Sequence, residues 1–103
     1  MTKLTSEQWV QQYASSHTNP INKATHMVGI PMIALSVVFF ILSLEWSHLF
    51  WLALSLFAMG WVLQFIGHAF EGKRPEFMND WRFLFVGLRW WLTKMRAFIA
   101  RQI

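Results

Sequence analysis

Two long stretches of the chain, Ala24 to Leu44 and Trp46 to Phe70, contain no charged residue and are separated only by Glu45. A helix needs about 20 apolar residues to cross a hydrocarbon core, and each stretch supplies that length. The pattern predicts two transmembrane helices, about 27–45 and 48–68, joined by a turn at Glu45-Trp46-Ser47-His48. Polar segments with helical signals flank them. Thr5 and Gln8 have the spacing of a capping box and open a helix over about 6–16, with Trp9 and Tyr13 four apart on one face. Asn19-Pro20 reads as an N-cap followed by proline at the first helical position, and Gly29 and Pro31 are expected to bend the helix that follows. Glu71-Gly72-Lys73-Arg74-Pro75 is a break, and Asn79 or Asp80 caps a last helix over about 80–100. On that helix Trp81, Leu84, Phe85, Leu88, Trp91, Leu92, Met95 and Ile99 share one broad face, edged by Arg82, Arg89 and Arg96. This is the pattern of a helix lying in a membrane interface; as a third span it would bury Arg82 and Arg89. No run alternates long enough for a strand, and no repeat is evident. The fold class is therefore all-α: an integral membrane protein built as a two-helix transmembrane hairpin with amphipathic interfacial helices at both ends.

Composition sharpens this picture. The chain is 55% hydrophobic and only 14% charged over 103 residues, against about 25% charged in an average soluble domain. A single domain over 1–103 is the expectation, and so small a soluble globule could not hide that much apolar surface. Met1-Thr2-Lys3 leads into a polar segment rather than an apolar core, so no cleaved signal peptide is expected. The net charge of +4 comes from basic residues beside apolar spans, which fits anionic headgroups and argues against nucleic acid as partner. Lys3 and Lys23 precede the first span, no Lys or Arg lies between the spans, and seven follow the second. The positive-inside rule then places both termini in the cytoplasm.

The hairpin gives three of the four histidines a common side. His17, His26 and His68 gather at the cytoplasmic mouth, while His48 lies in the opposite turn as an interfacial residue. Asn22 and His26 stand one turn apart, as do His68 and Glu71. With no cysteine in the chain, any metal must be held by nitrogen and oxygen. Imidazoles with a carboxylate suit iron(II), manganese or zinc, and two histidines with one carboxylate form the facial triad of non-haem iron oxygenases.

The residues Tyr13, His17, Asn22, His26, Gly29 and Pro31, followed by Gln64-Phe65-Ile66-Gly67-His68, Phe70-Glu71 and Pro75, resemble the Mpo1-like family over about residues 9–85. The resemblance implies an iron(II)-dependent dioxygenase that uses molecular oxygen to shorten a 2-hydroxy fatty acid by one carbon. It makes His17, His26 and His68 the catalytic metal ligands, with Glu71 as a further ligand and Asn22 and Gln64 as residues supporting them. Two positions depart from the pattern. Many members place one more residue between the second-block histidine and its glutamate, which turns a helical side chain by about 100°, and many follow the motif proline with alanine where this chain has Glu76. A fatty acid tail is expected among Phe39, Phe40, Phe57 and Phe65, with Lys73 or Arg74 pairing with its carboxylate. The short chain reads as bacterial, hence an inner-membrane protein, and two spans enclose so little space that a homodimer through Gly60 and Ala58 is expected. Two rival readings are a non-catalytic membrane scaffold and a haem protein with His26 and His68 as axial ligands.

Overall fold

The computed structural model describes residues 5–102, so Lys3 of the charge count lies outside the described residues. Among the described residues every regular element is helical, with no strand. Helix α1 (Ser6–Ser15) opens on Thr5, whose hydroxyl accepts from Gln8 N–H while the Gln8 side chain accepts from Thr5 N–H, closing the capping box. Helix α2 (Pro20–Leu42) starts on Asn19, whose side chain accepts from Ile21 N–H, with Pro20 in the first turn. After a short 3-10 turn at Ser47–Leu49, α3 (Phe50–Glu71) returns and stops at Gly72, whose φ of 74° is the left-handed value that glycine adopts without strain. A second 3-10 turn, Glu76–Met78, leads into α4 (Phe83–Gln102). The helices thus exist where the sequence predicts them: α2 starts at Pro20, as the Asn19-Pro20 signal predicts, and ends at Leu42, short of 45, while α3 runs on past 68. Both are long and apolar enough to cross a membrane.

The α2–α3 hairpin is the most extensive pairing in the molecule, and small residues make it possible. Asn22, Gly29 and Ser36 on α2 face Ala53, Gly60 and Gly67 on α3, each set spaced by seven and each member buried. Seven is two turns of a slightly supercoiled helix, so each set forms one seam. A Cβ on Gly29 would lie 3.0 Å from the Gly60 carbonyl oxygen, and one on Gly60 would lie 3.1 Å from the Gly29 carbonyl oxygen. Gly60 is therefore consumed inside the hairpin, which removes it from the expected dimer face, although Ala58 remains exposed.

Helix α1 packs against α4, and α4 packs against α2 of the hairpin, which Tyr13 of α1 reaches through Ile30. The packed stripe of α4 is Phe83, Val86, Gly87 and Trp90, joined in one buried cluster by Tyr13 and Ile30. The face expected to meet the membrane interface lies elsewhere on the same helix: Leu84, Phe85, Leu88, Leu92 and Ile99 are exposed, Trp91 and Met95 are partly buried, and Trp81 is exposed just before the helix. Helix α4 has apolar residues on two sides, and hydrophobicity alone does not say which one meets protein. Gly87 decides it, because the Tyr13 ring lies where any larger side chain would project.

A second tie comes from Pro31. Proline inside α2 has no N–H to offer the carbonyl four residues back, which is that of Met27. The Trp91 indole N–H donates to that carbonyl at 2.8 Å. Trp91→Phe is expected to destabilise the fold by about 1 kcal/mol, and adding Pro31→Ala, which restores the backbone donor, should remove most of that loss. Thermal unfolding followed by circular dichroism checks both; equal losses in the single and double variants would show that the bond does not replace the missing one.

Candidate metal centre

Three elements bring the histidines together. His17 follows α1, His26 lies near the start of α2, and His68 lies one turn before the end of α3. All three are nearly inaccessible, at 1%, 2% and 5% exposure. Their ring centroids are 4.3 to 4.8 Å apart and each pair is nearly perpendicular. One nitrogen from each ring lies within 4.8 Å of the others.

Hydrogen bonds determine which nitrogens remain. His17 Nδ1–H donates to the Tyr13 carbonyl at 2.6 Å, with the Ser16 hydroxyl 3.1 Å away, and His26 Nδ1–H donates to the Asn22 carbonyl at 2.9 Å. A carbonyl can only accept, so the proton is held on Nδ1 and the Nε2 lone pair is left for another partner. His17 Nε2 and His68 Nδ1 are buried with no hydrogen-bond partner. Orphans of this kind cost about 1 to 3 kcal/mol each in a closed fold, and a cation among the three rings satisfies both. Burial pushes His17 down to about 4, against the opposing effect of its bond to Tyr13, so its ring is neutral near neutral pH. Neutral imidazole is the form that ligates a metal. The donor set therefore fits a nitrogen-liganded metal ion. It does not fit bis-histidine haem, because His26 and His68 are 4.8 Å apart with His17 beside both, leaving no room for a macrocycle between them.

Aromatic rings close the centre. Tyr13 stacks on His17 at 4.0 Å and 14°, and Trp90 of α4 lies 5.5 Å from His17 and 5.6 Å from Tyr13. These two residues and Ser16, which is 1% exposed, carry no assigned role in the sequence reading. The i, i+4 spacing of Tyr13 and His17 is a signal for the first; Trp90 is legible only once its stripe of α4 is known to be the packed one.

Of the remaining expected residues, Asn22 is fully buried, donating from its side chain to the Ser16 carbonyl and to Glu71 while its own carbonyl holds His26. Gln64 is buried one turn from His68 and donates to the Gly60 carbonyl at 3.3 Å. The structure does not bring Glu71 into the histidine group. Its Oε1 accepts from Asn19 N–H at 2.8 Å and Asn22 Nδ2 at 3.1 Å, and its Oε2 accepts from the Thr18 hydroxyl at 2.7 Å. The unpaired donors at the start of α2 attract the carboxylate. Lys73 and Arg74 also lie away from the centre. The left-handed turn at Gly72 carries them out, Lys73 to the Ser15 carbonyl at 3.4 Å and Arg74 to Asn79 at 3.5 Å. Glu71→Gln is expected to cost about 1 kcal/mol of stability, since this half-buried site is partly screened by solvent, and to leave metal content unchanged; loss of the metal in that variant would restore Glu71 as a ligand.

A cavity of about 230 Å³ opens beside the centre, lined by His26, His68 and Gln64 at one end. From there Ile30, Ile33 and Val37 continue along one face of α2, opposite Leu84, Phe85 and Leu88 of α4. From His26 to Val37 the stripe runs about 16 Å. None of Phe39, Phe40, Phe57 and Phe65 lines it; Phe40 instead packs on Phe50 and Phe57 near the far turn.

A search of curated proteins and of solved structures finds no match to the chain. A family model described as 2-hydroxy-palmitic acid dioxygenase Mpo1-like matches residues 4–99. With nearly its whole length covered by that model, the chain belongs to the Mpo1-like family.

Proposed function

We propose that this protein is a membrane-embedded, iron(II)-dependent dioxygenase acting on a 2-hydroxy fatty acid, with His17, His26 and His68 as the metal ligands. The observation that carries this reading is a buried trio of imidazoles, two with unpartnered nitrogens, at one end of an apolar cavity. The family name supplies the substrate class and the oxygen chemistry. His17, His26 and His68 would hold iron(II), which when bound would supply the oxygen-activating and Lewis-acid chemistry. The chain's own residues do the rest. The carbonyls of Tyr13 and Asn22 fix the tautomer and aim of His17 and His26. Glu71 ties the 18–22 segment to the end of α3, so that His17 and His68 stay together. Tyr13 and Trp90 keep bulk water from the ligands, and the stripe from Ile30 to Val37 takes the alkyl tail.

Membrane embedding is supported by where the apolar surface lies. Only 22% and 17% of the apolar windows of α2 and α3 are buried inside the protein, and Val28, Leu35, Val38 and Ile41 stand half exposed or more. A core helix of a soluble protein would be mostly covered, whereas a lipid-facing helix is not. The excess of Lys and Arg after α3 supports a topology with both termini, and with them the histidine end of the hairpin, on the cytoplasmic side, the expected membrane being a bacterial inner membrane.

Detergent-purified protein supplied with iron(II) and oxygen is expected to consume 2-hydroxypalmitate and release the acid one carbon shorter, with His68→Ala inactive. Identical residual substrate with wild type and His68→Ala would sink the catalytic reading.

A further inference from the structure

The cavity wall carries a carboxylate that the metal centre does not use. Glu76 lines the same cavity as His26 and His68. Its position is set by its neighbours: Pro75, buried and extended at φ −56° and ψ 139°, opens the 3-10 turn, and Phe77 is anchored on Trp61 and Phe65 with ring centroids 5.3 and 6.4 Å away. Among the described residues the Glu76 carboxylate has no hydrogen bond and no ion pair. Lys73 and Arg74, the cations nearest in sequence, are turned to Ser15 and Asn79, and Glu71 is spent on the start of α2. The carboxylate is close enough to Tyr13 that, after burial, its charge is the next cause raising that hydroxyl above its ordinary value.

A free carboxylate on an apolar wall treats two related ligands differently. It repels the head group of any fatty acid. It also accepts a charge-assisted hydrogen bond from a neighbouring hydroxyl, which offsets the repulsion only for an acid that carries one. A site whose polar group is left unpaired by the analogue lacking a hydroxyl discriminates far better than an apolar pocket can. We propose that Glu76 is a specificity-determining residue, its carboxylate accepting from the hydroxyl beside the ligand's carboxyl, so that the cavity selects hydroxylated acyl chains over plain ones. This inference rests on the fatty-acid reading above.

The test is binding of 2-hydroxypalmitate and of palmitate to detergent-purified wild type, Glu76→Gln and Glu76→Ala, read by tryptophan fluorescence, with metal content measured on the same samples. Wild type should prefer the hydroxy acid, and both variants should lose about tenfold of that preference, with palmitate bound more tightly as the charge goes and metal content unchanged. A preference within twofold of wild type in both variants overturns the role of Glu76 and leaves the functional reading standing. Metal loss in Glu76→Gln with the preference intact also overturns it, making Glu76 a ligand. Wild type that binds neither acid removes the fatty-acid reading itself, and this inference with it.

Discussion

Purified wild-type protein is expected to hold about one metal ion per chain, and His17→Ala, His26→Ala and His68→Ala are each expected to lose it. The affinity loss should exceed the 10- to 100-fold that typically follows removal of a group supporting a ligand. Two features make the effect large. The three rings are buried, so a missing one is not replaced by bulk water at no cost. The three come from separate elements, so none has a neighbour on its own helix that can substitute. Elemental analysis of the four proteins from one preparation decides the matter. Wild type free of metal after growth and purification in iron, manganese and zinc would leave the histidines as packing residues of a membrane scaffold. Loss from two variants but not the third would remove that residue from the ligand set.

Gly67→Ala should separate the two halves of the site without touching a ligand. A Cβ there would collide with Thr25 Oγ1 and Asn22 Oδ1 and lie 3.1 Å from Asn22 Cα. The first two are side-chain atoms of α2, and the third is backbone, so rotamer changes do not suffice and α2 must move away from α3. Overpacking of this kind costs about 1 to 3 kcal/mol. Because Asn22 holds His26 through its carbonyl and Glu71 through its side chain, the displacement reaches the histidine cluster directly. The expected result is a lower unfolding midpoint together with weakened metal binding, while Ala58→Gly, at an exposed position on the same helix, lowers stability modestly and leaves metal binding intact. Full metal affinity in Gly67→Ala would mean that the close approach at Gly67 does not set the spacing of His26 and His68.

Much of the architecture is legible in the chain because local rules govern it. Uncharged runs of helical length, a capping box at Thr5 and an Asn-Pro start at Asn19 each act within a few residues, and each appears in the structure. The grouping of His17, His26 and His68 is legible for a related reason: once two long helices must form a tight antiparallel pair, residues at matching distances from the turn meet.

Other features depend on direction rather than distance along the chain. Whether Glu71 turns toward the histidines or toward Thr18, Asn19 and Asn22 depends on one residue of helical phase and on the unpaired donors at the start of α2, which belong to a segment some fifty positions earlier. Gly60 offers a close approach to any helix, and only the assembled hairpin shows that Gly29 has already taken it. Helix α4 carries apolar residues on two faces, so periodicity finds an amphipathic helix without choosing which face packs; Gly87 beneath Tyr13 and the bond from Trp91 to the Met27 carbonyl left unpaired by Pro31 make that choice. By itself, then, the sequence determined the helices, their caps and the shared end of the histidines, because backbone hydrogen bonding and the burial of long apolar runs are satisfied locally. Only the tertiary structure decided which carboxylate faces the cavity, which glycines are occupied and which stripe of α4 covers the histidine cluster, because those follow from steric fit and hydrogen-bond competition between segments that meet only in the folded chain.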